Sequence, residues 1–255
     1  MRTTYTSKFE DFKRLVLSTG PTVDEISIEA AFESMYDWSP ISSVESLVEW
    51  YTRQQASCAM KVEEIPLADC RGWIFDEVSG RISHSSGEFF NVHGVRVSFS
   101  LDREVEGGWD QPIIAQVGYD GGLLGLLRKR IYGVPHYLIE AKAEPGNPDK
   151  VQISPTLQAT FSNLKQAHGG KKPRFAEYFE DPERSNASVL RSQWMSEDGG
   201  RLHLKRNKGV LVEIPEEAVV EAPNSFKWVS LFQLKHLIRI NSWVNPHIRG
   251  IISSL

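Results

Sequence analysis

Apolar positions recur along this chain with two different periods. Phe9, Phe12, Leu15 and Val16 stand three or four residues apart, and after Pro40 the residues Val44, Leu47, Val48 and Tyr51 share one helical face. Ser42 or Ser43 supplies a cap for that second helix, with Glu45 favourably placed in its first turn. From Ala59 the pattern changes to short runs rich in Val, Ile and Phe, punctuated by Gly, Asp and Asn. Strands are predicted at 62–65, 72–75, 89–100, 113–117, 123–131, 137–143 and 151–157, and again at 201–204 and 209–214. The polar stretch 165–186, which contains Gly169-Gly170-Lys171-Lys172-Pro173, reads as a surface loop. Ser230 precedes Leu231, Leu234, Leu237 and Ile238 at helical spacing, and Asn245-Pro246 caps and opens a last short helix. Helices at both ends around a mostly antiparallel sheet predict a single α+β domain over 1–255, helical to about residue 57 and again from about 229.

Composition narrows the function classes. The chain has 255 residues, 40% hydrophobic and 24% charged, enough for a sizeable core. A net charge of -4 gives no general attraction to nucleic acid or to an anionic membrane, and neither is expected as a partner. Cys58 and Cys70 are too few and too far apart for a zinc knuckle, a CxxC redox pair or a disulfide framework. The first residues carry Lys8, Glu10, Asp11, Lys13 and Arg14 in place of the apolar segment of a secretion signal. No apolar run reaches the roughly 18 residues needed to span a bilayer, so the expected compartment is the cytoplasm.

Side chains alternate across a strand, so one side of 136–144 carries His136, Leu138, Glu140, Lys142 and Glu144 and the other Tyr137, Ile139, Ala141 and Ala143. The following strand splits the same way, with Gln152, Ser154, Thr156 and Gln158 against Val151, Ile153, Pro155 and Leu157. Pro145-Gly146-Asn147-Pro148-Asp149 between them is turn chemistry. A hairpin that keeps both polar rows together sets Glu144 across from Lys150, Lys142 by Gln152, Glu140 by Ser154 and His136 by Gln158. Periodicity alone makes this a solvated outer face. The Gln, Ser and Thr groups also suit a polyhydroxylated ligand, and the imidazole, lysine and carboxylates beside them supply phosphate affinity and acid/base capacity.

Thr160, Ser162 and Asn163 continue the small polar groups where the strand ends, either as a phosphate seat or as a helix cap. His84 and His93 read as surface histidines in turns, Arg128-Lys129-Arg130 as a solvated edge, and Trp50 as a core residue or a stacking platform for a base. Neither Gly107-Gly108 nor Gly121-Gly122 belongs to a phosphate-loop motif.

Trp109-Asp110-Gln111-Pro112-Ile113-Ile114, Glu140-Ala141-Lys142-Ala143-Glu144-Pro145-Gly146-Asn147 and Gln152-Ile153-Ser154-Pro155-Thr156-Leu157-Gln158-Ala159-Thr160 resemble the NDP-hexose 2,3-dehydratases of deoxysugar pathways. Weaker similarity runs upstream through Trp50, Ile65-Pro66-Leu67, Trp73 and Ser86-Gly87-Glu88-Phe89-Phe90, and downstream through Leu204-Lys205-Arg206-Asn207 and Trp228 to Asn245. The resemblance implies a Nudix-like fold, a pocket for a dTDP-linked sugar, and loss of the C2 hydroxyl from a 4-keto-6-deoxyhexose with no redox cofactor consumed. For that chemistry His136, Glu140 and Glu144 are the expected catalytic bases or acids, with Lys142 on the enolate or the diphosphate. Trp50, Trp109, Gln111, Thr160, Ser162, Asn163 and the Gly199-Gly200-Arg201 turn would join Gln152, Ser154, Thr156 and Gln158 in binding. Where the family's motif resembles Ala-Thr-Arg-Ser-Asn-Tyr, this chain has Phe161 and Leu164.

Family members usually carry this unit twice, so a homodimer is expected, together with a downstream NADPH-dependent 3-ketoreductase that consumes the labile diketo product. Diphosphate hydrolysis would need a glutamate-rich metal-holding helix, and no such run exists in the chain. A non-catalytic nucleotide-sugar-binding or regulatory subunit, and a keto-sugar isomerase or epimerase, remain as alternatives.

Overall fold

The computed structural model describes residues 2–20, 22–98, 107–119, 121–166 and 169–255. Three helices come first: α1 (Arg2–Ser18), α2 (Glu25–Met35) and α3 (Val44–Ala56). Four strands follow, β1 (Trp73–Asp76), β2 (Arg81–His84), β3 (Phe90–Val97) and β4 (Trp109–Gln116). Next come β5 (Gly122–Ile131), β6 (Val134–Ala143), β7 (Val151–Ser154) and β8 (Leu157–Thr160), then the short α4 (Phe161–Leu164) and α5 (Glu177–Glu180). The chain closes with β9 (Ser188–Ser196), β10 (Leu202–His203), β11 (Arg206–Ile214), β12 (Phe226–Val229), α6 (Leu231–Ile238) and α7 (Pro246–Ile252).

These strands form two sheets. One runs β1-β2-β3-β4-β10; the other runs β12-β6-β5-β11-β9, with β7 on β6 and β8 on β5. All pairings are antiparallel except β10 with β4 and β11 with β5. The architecture is therefore the predicted mixed, largely antiparallel α+β arrangement. Among the described residues no helix is long and apolar enough to cross a membrane.

The caps read from sequence hold: Ser43 closes a capping box on α3, Ser230 does the same on α6, and Asn245 caps α7 with Pro246 in its first turn. Other expectations change. Residues 62–65 form no strand, and His84 and His93 lie in β2 and β3 rather than in turns. Phe99 and Ser100, the end of one predicted strand, and Asp120 lie outside the described residues. The 165–186 segment contains α5 and buries Phe175, Ala176 and Phe179 against the large sheet. Room for the Phe179 ring comes from Gly125, where a Cβ would stand 2.6 Å from the ring.

Two apolar clusters cover the two faces of the large sheet. One packs Leu47, Tyr51 and the α6 and α7 leucines and isoleucines on Leu126, Ile139 and Leu211; the other packs Phe175 and Phe179 on Leu127, Leu138 and Val212. The five-stranded sheet is far less covered. Its registers align Phe75, Ile82, Val92, Ile114 and Leu202 in one cross-strand row, with Phe75 65% and Ile114 45% exposed. Arg128 is not at a solvated edge: it is 1% exposed and ion-paired with Glu29 and Glu33 of α2 and Glu213 of β11.

Candidate active site

The large sheet forks, and the fork makes the site. β5 and β6 pair from Leu127–Leu138 to Ile131–Val134, and beyond Leu127 they part. β7 then pairs with the β6 limb, Glu140 opposite Ser154 and Lys142 opposite Gln152 as expected, while β8 pairs with the β5 limb, Gln158 opposite Leu124. The crossing falls at Pro155-Thr156. Proline has no N–H to continue the β7 ladder, and the Thr156 hydroxyl takes over at the branch point, accepting from Leu127 N and donating to Leu138 O.

A cleft of about 280 Å3 opens between the limbs. Lys142 lines it from β6 and Glu144 from just past its end, Leu124 from β5, and Gln158, Ala159 and Thr160 from β8; Asn163, Phe90, Glu197, Lys205, Asn207 and His247 complete the wall. A second depression of about 340 Å3 shares Lys142 and Gln158 and adds Glu140, Thr156, Arg174 and Phe226. Lys142 therefore stands where the two meet. Its Nζ pairs with Glu144 at 3.1 Å and donates to Gln158 O at 3.4 Å.

The electrostatics are mixed. Burial raises the Glu140 carboxyl above its ordinary value, with Glu144 adding to the shift and Lys142 opposing it. Burial lowers the Lys205 ammonium, against the pull of Glu197. Lys205 donates to Gln116 Oε1 and lies 5.7 Å from the centre of the Phe90 ring. On the floor, Asn245 Nδ2 donates to Ser154 Oγ at 2.7 Å and Gln158 Oε1 at 3.3 Å, and Asn245 Oδ1 caps α7. The start of α7 is thereby fixed to β7 and β8.

The predicted residues divide by position. Glu140, Lys142, Glu144, Thr156, Gln158, Thr160 and Asn163 converge on the two depressions. Ser162 adjoins them, sharing a 2.9 Å hydrogen bond with Thr160, whose hydroxyl also caps α4. Gln152 and Ser154 are spent on the protein, on Ser242 O and on Asn245 and Gln158.

His136 is withdrawn from the site. It is 0% exposed, its Nδ1 donates to Val134 O at 2.8 Å, its Nε2 accepts from Ser39 Oγ at 3.0 Å, and burial pushes its pKa down to about 4. It also lies roughly 20 Å along the strand from Lys142 at about 3.3 Å per residue. Its strand partner is Lys129, not Gln158, because the chain leaves β6 at the fork. Trp50 is 6% exposed with its indole N–H donating to Asn224 O, so it offers no open face to a base within the cleft. Trp109 and Gln111 hydrogen bond to each other on β4, in the other sheet. Gly200 and Arg201 occupy an exposed turn beside Glu197 rather than the cleft wall.

Sequence reasoning gave no role to Glu197, Lys205, Asn207 or His247. They fall in irregular segments and at the tips of β11 and α7, where no periodicity marks a shared wall. Lys205 and Asn207 sit in the Leu204–Asn207 stretch that carried the resemblance, which was the one available signal.

A family model described as NDP-hexose 2,3-dehydratase matches residues 44–255. Three curated proteins named dTDP-4-dehydro-6-deoxy-alpha-D-glucopyranose 2,3-dehydratase are similar to this chain at 37% identity over 81% of its length: those of Amycolatopsis orientalis, Streptomyces violaceoruber and Saccharopolyspora spinosa. The matches cover 43%, 45% and 41% of those proteins, so the chain spans less than half the length of these relatives. Among solved structures, a C. elegans Ap4A hydrolase aligns with 51% of this chain and 91% of its own at 14% identity and a TM-score of 0.31, too loose a likeness to bear on the site.

Proposed function

The chain belongs to the NDP-hexose 2,3-dehydratase family, and on that premise we propose that it removes the C2 hydroxyl of a dTDP-linked 4-keto-6-deoxyhexose as a carbon–oxygen lyase. The observation that carries this reading is the convergence of Lys142 with Glu140 and Glu144 at the junction of two depressions in the sheet fork. The 4-ketone acidifies the C3 hydrogen, and removing that proton places the electron pair in an enolate between C3 and O4. Lys142 supplies a cation for the enolate oxygen. As the C4 carbonyl re-forms, the C2–O bond breaks, and an acid protonates the departing hydroxide to water. Glu140, whose carboxyl burial keeps protonated to higher pH, suits that acid role. The enol left at C3 then takes a proton at C2 and gives up its O3 proton to yield the 3,4-diketo-2,6-dideoxy sugar.

Arg174 on the rim of the second depression, with the Thr160 and Asn163 groups of the first, suits the diphosphate and nucleoside. The sequence-based expectations of a cytoplasmic homodimer and a following NADPH-dependent 3-ketoreductase belong to the same reading. The test is incubation with dTDP-4-keto-6-deoxyglucose, a 3-ketoreductase and NADPH, followed by mass spectrometry. A product lacking one oxygen atom is expected. Unchanged sugar that still binds would instead identify a nucleotide-sugar-binding subunit, and an isomer of unchanged mass would identify an isomerase or epimerase.

A further inference from the structure

With His136 buried, His247 supplies the one imidazole of the cleft among the described residues. Its backbone is unusually well placed for chemistry. Residues 243–245 run parallel to β7, with Ile153 N donating to Trp243 O at 2.7 Å and Asn245 N to Ile153 O at 2.9 Å. Asn245 is itself bonded to Ser154 and Gln158, so the first turn of α7, which carries His247, is tied to both limbs of the fork. Behind the imidazole stands Glu197, with its two oxygens assigned separately. Oε2 accepts from Asn207 Nδ2 at 2.7 Å, and Oε1 lies 3.8 Å from His247 Nε2. Both side chains of this pair are shielded, 18% exposed for His247 and 15% for Glu197. Among the described residues, Lys142, Glu144 and Lys205 are the other charged groups that line the same cleft.

We propose that His247 is the proton-transfer residue of this cleft, and that Glu197, itself held by Asn207, positions it and balances the charge it gains. The inference rests on the 2,3-dehydration reading given above. The C3–H bond breaks with its proton passing to the imidazole and its electrons to the enolate. The imidazolium so formed faces the Glu197 carboxylate, the arrangement that favours the charged ring. Loss of hydroxide from C2 and its protonation then complete the balance as one water. An ion-pair distance of 3.8 Å is loose for a ligand-free site and is of the kind that tightens on binding.

The test uses the full chain with dTDP-4-keto-6-deoxyglucose in deuterated water, following both dehydration and deuterium appearing at C3 of the recovered substrate. His247→Gln is expected to lower kcat for both by about 10²–10⁴-fold, with KM and the thermal unfolding midpoint near those of the parent. Glu197→Gln is expected to lower kcat less and to move the acid limb of the kcat/KM profile to lower pH, because the imidazolium loses its counter-charge. A merely structural glutamate would leave that limb in place. Parent-like exchange and turnover in His247→Gln, or an unmoved limb in Glu197→Gln, overturns the assignment while leaving the dehydratase reading intact. If the parent itself neither exchanges nor dehydrates, the dehydratase reading fails and the assignment fails with it. Should His247→Gln not fold, the Glu197→Gln profile decides.

Discussion

Arg128 reaches from β5 into a buried set of charges in which carboxylates outnumber guanidiniums. Glu29, Glu33 and Glu213 meet Arg128 and Arg130, and the excess acid is felt most at Glu33, where burial, with repulsion from Glu29, pushes the pKa up to about 7 against the pull of Arg128. Burial also opposes ionisation of Glu29, but the two guanidiniums hold its carboxyl below the ordinary value. A carboxyl whose folded pKa is raised stabilises the fold through its proton: the contribution is complete below the ordinary 4.5 and is lost as pH rises through about 7. His136 works in the other direction. Its imidazole is buried neutral, so its contribution is complete above 6.5 and is lost as pH falls through about 4. Glu33→Gln removes the first effect without the second. Its urea midpoint relative to the parent is therefore expected to rise between pH 5 and pH 8, and a difference that stays constant over that interval would exclude Glu33 as the titrating group.

At the scale of elements the critical feature is the fork at Thr156. Its hydroxyl bonds one backbone N–H and one backbone C=O at the point where the strands part. Thr156→Val keeps the shape and deletes both bonds, so a loss of about 2–4 kcal/mol is expected by chemical denaturation; a loss under about 0.5 kcal/mol would show that the limbs hold without it. This is also where the sequence stopped being legible. The capped helices and the strands in β5, β6 and β11 follow from local pattern, because caps and periodicity are local properties. So does the register of Glu140 and Lys142 against Ser154 and Gln152. The 151–157 run looks like one strand because its alternation is unbroken, yet Pro155 divides it between two partners, and pairing partners are not written in a period. α2 lies within the helical 1–57 segment but has no delimiting pattern of its own, for a related reason: Glu29 and Glu33 lie on its buried side, where an amphipathic pattern calls for apolar groups. The acidic residues make sense only beside Arg128, 99 and 95 residues away in sequence. His136 was misassigned on the same ground, since alternation gives the side of a strand but not what covers it.

For the whole molecule, the two sheets contribute unequally. The large sheet is packed on both faces, whereas the row from Phe75 to Leu202 on the smaller sheet leaves Phe75 and Ile114 exposed and Ile82, Val92 and Leu202 half-buried. A contiguous apolar row of that kind fits the proposed pairing of two copies. Light scattering at working concentration is expected to return twice the mass of one chain, and the mass of a single chain would count against the homodimer. The cleft wall draws on both sheets, with Phe90 from the smaller one facing Lys142 and Gln158 from the larger.

β8 adds a constraint on how such a site can change over time. Its four residues alternate between the core, which takes Leu157 and Ala159, and the cleft, which takes Gln158 and Thr160. Core and site are thus one short strand read in two phases. A single inserted or deleted residue between Thr156 and Gln158 would turn the amide and hydroxyl inward and the leucine outward. Length variation is therefore barred from this strand, and lineages that diverge in substrate must do so by exchanging side chains at fixed positions or by remodelling the turns at its ends.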